Sequence, residues 1–233
     1  MSSTRRVVSL VPSVTETLLA WGVEPVAVTR FCEQPGLRQV GGTKNPDVAA
    51  IVDLRPDLVV MDTEENRRQD YDTLVDAGVA VHALAVRSVD DVGPALRSLA
   101  ERVGVAPPDD PDRPEPAHAP GSPRAYVPIW RRPWMALGTP TYASSLLEVL
   151  GVDNVAAGRG PYPELAPDDA RTLGADLVLA PSEPYAFGPR HRTELSAAGP
   201  VVFVDGKDLF WWGARTPGAI RRLSTELSGI DAR

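Results

Sequence analysis

One α/β phrase occurs twice in this chain, and a duplicated phrase restricts the folds open to it. Leu18-Leu19-Ala20-Trp21-Gly22-Val23-Glu24-Pro25-Val26-Ala27 reads as a helix end, a glycine stop and a strand. The pattern returns as Leu146-Leu147-Glu148-Val149-Leu150-Gly151-Val152-Asp153-Asn154-Val155-Ala156. Leu54-Arg55-Pro56-Asp57-Leu58-Val59-Val60 is answered by Leu173-Gly174-Ala175-Asp176-Leu177-Val178-Leu179, and Gly78-Val79-Ala80-Val81 by Gly199-Pro200-Val201-Val202. The matched segments keep their order, so the expectation is two similar lobes facing each other across a cleft, the usual place for a ligand.

The length of 233 residues suits two small domains. A hydrophobic share of 43% supports ordinary cores. The net charge of −7 disfavours a nucleic-acid or anionic-membrane partner. A single cysteine, Cys32, excludes an internal disulfide. Arg5-Arg6 precedes an apolar stretch that Pro12, Ser13, Thr15 and Glu16 interrupt, which gives no secretory leader. No run of ~20 apolar residues offers a transmembrane segment. The expectation is a cytoplasmic protein.

Val7–Val11 reads as a buried strand, followed by a helix with Ser13 and Glu16 at capping-box spacing. Asn45-Pro46 reads as a further helix start. Strands are expected at Leu58–Met61 and Val79–Leu84, a helix around Asn66–Ala77, and another near Val89–Val103. Seven prolines between Val105 and Pro123 read as a semi-extended linker. The domain expectation is therefore an N-terminal lobe over 1–104, a Pro-rich linker over 105–123 and a C-terminal lobe over 124–233. The second lobe reads as a strand at Tyr126–Trp130, a helix from Thr139-Pro140 to Gly151, strands at Leu177–Ala180 and Val201–Val204, and a helix near Thr216–Ser228. Alternating strands and helices predict an α/β fold with a parallel sheet in each lobe, its ligand loops at the carboxyl ends of the strands.

Ten of the fourteen aromatics fall in those expected loops: Phe31, Trp130, Trp134, Tyr142, Tyr162, Tyr185, Phe187, Phe210, Trp211 and Trp212. Such a distribution suits a flat or apolar ligand, although loop aromatics also pack down as lids over small lobes. Arg30, Lys44, Arg67, Arg131, Arg132, Lys207 and Arg215 accompany them, and arginine both stacks on rings and grips anionic groups. Glu64-Glu65-Asn66-Arg67 follows one strand, and Ser182-Glu183-Pro184-Tyr185 holds the corresponding place in the second lobe. Glu64 and Glu65 equally suit the start of a helix. Gly41-Gly42-Thr43-Lys44-Asn45 lacks phosphate-loop spacing.

No catalytic motif and no metal-ligand cluster is visible. His82, His118 and His191 are isolated. An enzymatic alternative would act on a related metabolite in the cleft, with Cys32, Glu64, Glu65 or Glu183 as acid or nucleophile. Cys32 could pair with His191, but a lone cysteine is more often a small buried hydrophobe. A third alternative is a protein-interaction module with an aromatic face.

Val7-Val8-Ser9-Leu10-Val11-Pro12-Ser13-Val14-Thr15-Glu16, then Val40-Gly41-Gly42, then Leu54-Arg55-Pro56-Asp57-Leu58-Val59 resemble the class III periplasmic binding proteins. These are the vitamin B12, haem and ferric-siderophore receptors of ABC importers, also called helical-backbone metal receptors. The resemblance spans nearly the whole chain. Thr29–Cys32, Gly41–Pro46, Glu64–Arg67 and Trp130–Trp134 look closest to a leaderless branch. It implies two lobes, little hinge movement, no cofactor of the protein's own, and a ligand that brings its own metal. The residues expected to hold that ligand are Arg30, Phe31, Lys44, Glu64, Glu65, Arg67, Trp130, Arg131, Trp134, Tyr142, Glu183, Tyr185, Trp211, Trp212 and Arg215. The resemblance also implies an ABC permease as partner, docked through a carboxylate on the helix before each L-x-P-D-L-V strand. Those positions are Ala49, with Asp47 nearby, and Asp168. Family members join their lobes with a helix of ~20 residues, ~30 Å long, where this chain has its proline-rich segment.

Overall fold

The computed structural model describes residues 5–106 and 121–228, so most of the expected Pro-rich linker lies outside the described residues. These residues divide into two compact units. One takes residues up to Val86, those from Asp90 to 106, and Trp212–Arg215. The other takes Arg87–Val89, residues 121 to 211, and those from Thr216 on.

The first unit contains β1 (Val7–Ser9), α1 (Pro12–Ala20), β2 (Ala27–Val28), β3 (Gly41–Gly42), β4 (Asn45–Pro46), α2 (Val48–Asp53), β5 (Leu58–Asp62), α3 (Arg68–Asp76), β6 (Val81–Leu84) and nearly all of α4 (Val89–Val103). Its main sheet is wholly parallel, in the order β2-β1-β5-β6. The second unit contains β7 (Arg124–Tyr126), β8 (Pro128–Arg131), β9 (Trp134–Ala136), α5 (Tyr142–Val149), β10 (Asp153–Asn154), α6 (Pro167–Thr172), β11 (Leu177–Pro181), α7 (Arg192–Leu195), β12 (Val201–Val204), α8 (Gly206–Phe210) and α9 (Thr216–Ser228). Its main sheet, in the order β10-β7-β11-β12, is also parallel. In both units the second strand of the sheet flanks the first, with the third and fourth on the other side. The repeat in the sequence is a repeat of topology.

The shared residues have shared jobs. Gly22 and Gly151 both sit at φ +72°, just past α1 and α5. Each lets the chain fold back, so that Val23 N–H donates to Leu18 O at 2.8 Å and Val152 N–H to Leu147 O at 2.9 Å. The aspartate of the second phrase anchors the first strand of each sheet. Asp57 Oδ2 accepts from Arg6 N–H at 2.7 Å, and Asp176 Oδ2 from Arg124 N–H at 2.9 Å. The central strands β5 and β11 are buried along their whole length, as a sheet covered on both faces requires. Val8, Leu10, Ile51, Val59 and Leu74 centre the first core; Tyr126, Ala136, Val178 and Leu195 centre the second. The Tyr126 hydroxyl donates to Leu165 O at 2.8 Å within that second core.

Four local expectations are corrected. Helix α1 begins one residue before Ser13, with Pro12 in its first turn and no side-chain cap, so no capping box forms. Proline costs nothing there, since a first-turn N–H has no helical partner. Asn45-Pro46 is a strand paired antiparallel with Gly41–Gly42, and the cap of α2 is Asp47, whose Oδ1 accepts from Ala50 N–H at 3.0 Å. The expected strand Tyr126–Trp130 is two strands. β7 is interior to its sheet, and Pro128, lacking an N–H, cannot extend an interior strand. The chain leaves the sheet there and pairs β8 with β9. Lastly, several aromatics assigned to loops lie on regular elements: Trp130 and Trp134 on strands, Tyr142 and Phe210 on helices.

Candidate functional site

Parallel strands end on one edge of their sheet, so the loops after β1, β2, β5 and β6 gather on that edge of the first unit. After β2, a 3-10 turn at Arg30–Cys32 carries two of the expected residues. The Arg30 guanidinium lies 4.7 Å from the centroid of the Phe31 ring, and Phe31 is 49% exposed. Both side chains pack against Gly42, where a Cβ would come within 3.0 Å of Phe31 and 3.2 Å of Arg30. A side chain there would push these two and the Asn45 amide, 2.7 Å away, out of place.

After β5, the chain turns on a buried polar hub. Asp62 is 3% exposed, and its Oδ1 accepts from Glu64 N–H at 2.8 Å and Glu65 N–H at 3.3 Å. Buried Asn66 accepts from Asp62 N–H at 2.9 Å and donates to Leu10 O at 3.3 Å and Thr43 O at 2.9 Å. That amide ties three loops together, those after β1, β3 and β5. Lys44 adds a hydrogen bond from its ammonium to Glu64 O. Burial pushes the Asp62 carboxyl up to about 6, with Glu64 and Glu65 adding to the rise and the two backbone donors opposing it. The Glu65 carboxyl is also raised; desolvation drives the shift, Lys44 pulls it back and Glu64 adds to it. A cavity of about 520 Å³ opens here, lined by Met61, Asp62, Asn66, Arg67, Tyr71 and Ala83 among others.

Two expected residues from the far end of the chain belong to this unit. Arg215 makes a two-pronged ion pair with Glu16, both contacts at 2.8 Å, and Trp212 is buried. Glu16, expected in a capping box, spends its carboxylate on Arg215. Arg67 is engaged in the same way by Asp70, at 2.9 Å twice.

In the second unit the structure joins aromatics into one cluster. Trp130, 46% exposed, meets Tyr185 edge to face at 5.6 Å. Tyr185 adjoins Phe187 at 4.7 Å, and Phe187 stacks on Trp134 at 6.0 Å. His191 closes the group edge-on against Tyr185 and Phe187. The Arg131 guanidinium donates to Glu194 at 2.8 Å and interacts with Tyr185. Trp211 Nε1–H donates to Glu183 Oε2 at 3.0 Å, and the Lys207 ammonium lies 5.0 Å from the Trp211 ring centroid. Tyr142 is buried, hydrogen-bonded to Thr216 at 3.0 Å.

The geometry thus groups Arg30 with Phe31, Lys44 with Glu64 and Glu65, and Trp130 with Arg131, Trp134 and Tyr185, then pairs Glu183 with Trp211. Tyr142 and Trp212 stand apart as interior residues. Sequence reasoning passed over Asp62 and Asn66. A carboxylate ending the apolar run Leu58–Met61 was the available signal for the first, and position between Glu65 and Arg67 for the second. Cys32 is buried, with Thr15 and Thr29 hydroxyls 3.1 and 3.2 Å from its sulfur; Cys32 and His191 fall in different units. Among the described residues no group of three or more His, Cys, Asp or Glu could hold a metal ion, and no helix is long and apolar enough to cross a membrane.

Two parallel α/β units with polar and aromatic loops at their strand ends have counterparts among known proteins. The periplasmic binding protein family model matches residues 7–107. The vitamin B12-binding protein of Salmonella paratyphi A is 32% identical over 99 residues, 41% of this chain and 37% of that protein. The chain thus matches little more than a third of the length of such curated relatives. Among solved structures, the periplasmic vitamin B12 binding protein BtuF of Vibrio cholerae has a TM-score of 0.76 at 19% identity, over 96% of both chains. The periplasmic heme-binding protein RhuT from Roseiflexus sp. RS-1 reaches 0.78 at 20% identity, over 99% of both. Residues 7–107 thus resemble the periplasmic binding proteins in sequence, and the chain shares the fold of these solved structures.

Proposed function

We propose that the protein binds a metal chelate, a corrinoid, haem or ferric siderophore, in the manner of the substrate-binding proteins of ABC importers. The observation that carries this reading is an exposed ring in each unit: Phe31 beside the Arg30 guanidinium, and Trp130 edge to face with Tyr185. Large rings left half in water cost free energy unless a ligand covers them, and a macrocycle or an apolar chelate rim is the right shape. Lys44, Glu64, Glu65 and Arg67 add hydrogen-bonding groups on loops of the first unit; Tyr185, Glu183 and Trp211 add theirs in the second. The ligand supplies the metal, and the protein supplies stacking and polar contacts. Recognition by a permease draws on exposed Asp168 in the first turn of α6 and on exposed Asp47 at the cap of α2.

Intrinsic tryptophan fluorescence titrated with cyanocobalamin, dicyanocobinamide, haemin and a ferric hydroxamate siderophore tests the reading. Saturable quenching by one of them is expected, with Trp130→Ala weakening that ligand about tenfold, the equivalent of one aromatic contact. No saturable response from any of the four would end the metal-chelate assignment.

A further inference from the structure

Asp62 Oδ2 is the buried side-chain oxygen or nitrogen without a hydrogen-bond partner among the described residues. Its sister oxygen holds the backbone of Glu64 and Glu65. Leaving a charged carboxylate half satisfied in a buried site is costly, and a protonated carboxyl there costs much less. The charges around it agree. Glu64 and Glu65 on its own loop repel an anion at Asp62. Arg67 and Arg68, which share the adjoining cavity with Tyr71 of α3, are already engaged by Asp70 and Asp72. Lys44, from the β3–β4 turn, reaches the Glu64 carbonyl. On β6, the residue in register is apolar Leu84; from β1, the Leu10 carbonyl faces Asn66. Among the described residues none of these neighbours gives Asp62 a counter-ion.

We infer that Asp62 is the positioning residue of the loop 63–67, holding it in the observed form while protonated and releasing it on ionisation. This rests on the assignment of that loop to ligand binding. Protonated Asp62 keeps Oδ1 on both amides, and the loop presents Glu64, Glu65 and Arg67 as seen. Ionisation strengthens the two amide bonds to Oδ1, but the larger cost of a desolvated charge draws water to Oδ2 and sets three carboxylates against one another, so the loop opens. Ligand held by this loop is therefore bound more tightly on the acid side.

Amide hydrogen exchange at Glu64 and Glu65, corrected for base catalysis, is to be followed from pH 3.5 to 7.5 in wild type and Asp62→Asn. Protection should fall between about 3.8 and 6 in wild type and level off above that, and stay flat in the variant. The 13C shift of the wild-type Asp62 carboxyl is a check that needs no variant, and it should titrate near 6. Flat wild-type protection, the same step in Asp62→Asn, or a carboxyl titrating near 4 would overturn the inference. Whichever of the four chelates binds should weaken about tenfold between pH 4.5 and 7. The ceiling is roughly 100-fold, the ratio a carboxyl moved from 3.8 to about 6 allows. In Asp62→Asn the affinity, whatever its value, should not vary with pH. Chelate binding that is equally pH-independent in wild type would sink the coupling to ligand. An exchange step with no chelate bound would leave the positioning role standing and remove the metal-chelate reading.

Discussion

The two units build the same parallel sheet in the same strand order but finish their third strands differently. β5 ends in buried Asp62, which turns the chain through two backbone bonds and enlists Asn66 to tie down neighbouring loops. β11 ends in buried Pro181, and the next residue, Ser182, accepts from Gly206 N–H at 2.9 Å while aromatics fill the space beyond. One loop is organised by hydrogen bonds around a titratable group, the other by ring packing. Repetition preserved what the backbone needs, the glycine stops and anchoring aspartates, and left free what a ligand would meet.

The largest expected effects test whether the scaffolds are energetically equivalent. Leu18 and Leu147 occupy matching places and are fully buried. Leu18→Ala and Leu147→Ala should each cost about 3 kcal/mol in denaturant unfolding, since each leaves a cavity in a packed core. A difference above roughly 2 kcal/mol between them would break the equivalence.

Acid response should then separate the units. The Asp62 carboxyl is raised on folding, so its protonated form favours the native state. That contribution is complete below 3.8, falls as pH rises, and is gone above about 6, a swing of up to ~3 kcal/mol. His191 works in the opposite sense. Burial first, then Arg190 and Arg131, lower its pKa, and its Nδ1 accepts from Gly188 N–H at 3.1 Å, which requires an unprotonated nitrogen. Stability linked to His191 is present above the ordinary value of 6.5 and is lost as pH falls below it. Urea unfolding from pH 4 to 7.5 should show Asp62→Asn removing an acid-side gain and His191→Gln removing an acid-side loss. Slopes of the same sign in the two comparisons would refute this division of labour.

The scaffold was legible because its constraints are local and repeated. A glycine stop at Gly22 and again at Gly151, or an apolar run at Leu58–Met61 and again at Leu177–Ala180, states its own structure. Pro128 was misread because its meaning depends on whether the strand is interior, which no local window reveals. Of the residues proposed for the candidate site, Phe31 and Trp130 are exposed. Its organising residues were not legible. Asp62 matters through an oxygen that lacks a partner, and Asn66 through carbonyls of residues 10 and 43, relations that exist only after folding. Tyr142 and Trp212 show the same limit from the other side, since an aromatic in the right sequence context can still be interior.

The smallest effect tests the repeat most finely. Asp57 and Asp176 each accept the backbone N–H just before the first strand of their sheet, and the residues bonded by that carboxylate, Arg6 and Arg124, return a carbonyl to the aspartate's own N–H at 2.9 and 2.8 Å. Both sites are open to solvent, so water can replace the lost acceptor and the penalty is limited to the net worth of one charge-assisted bond. Asp57→Ala and Asp176→Ala should each cost about 1 kcal/mol. They should act additively in the double variant, because each bond lies within its own unit. Asp57→Asn and Asp176→Asn retain an acceptor oxygen and should recover most of the loss. If Asp57→Ala is neutral while Asp176→Ala is not, the shared aspartate is a relic in the first unit, and the anchoring of β1 falls to the second contact at that strand start, the bond from the Arg6 guanidinium to Leu54 O at 2.8 Å.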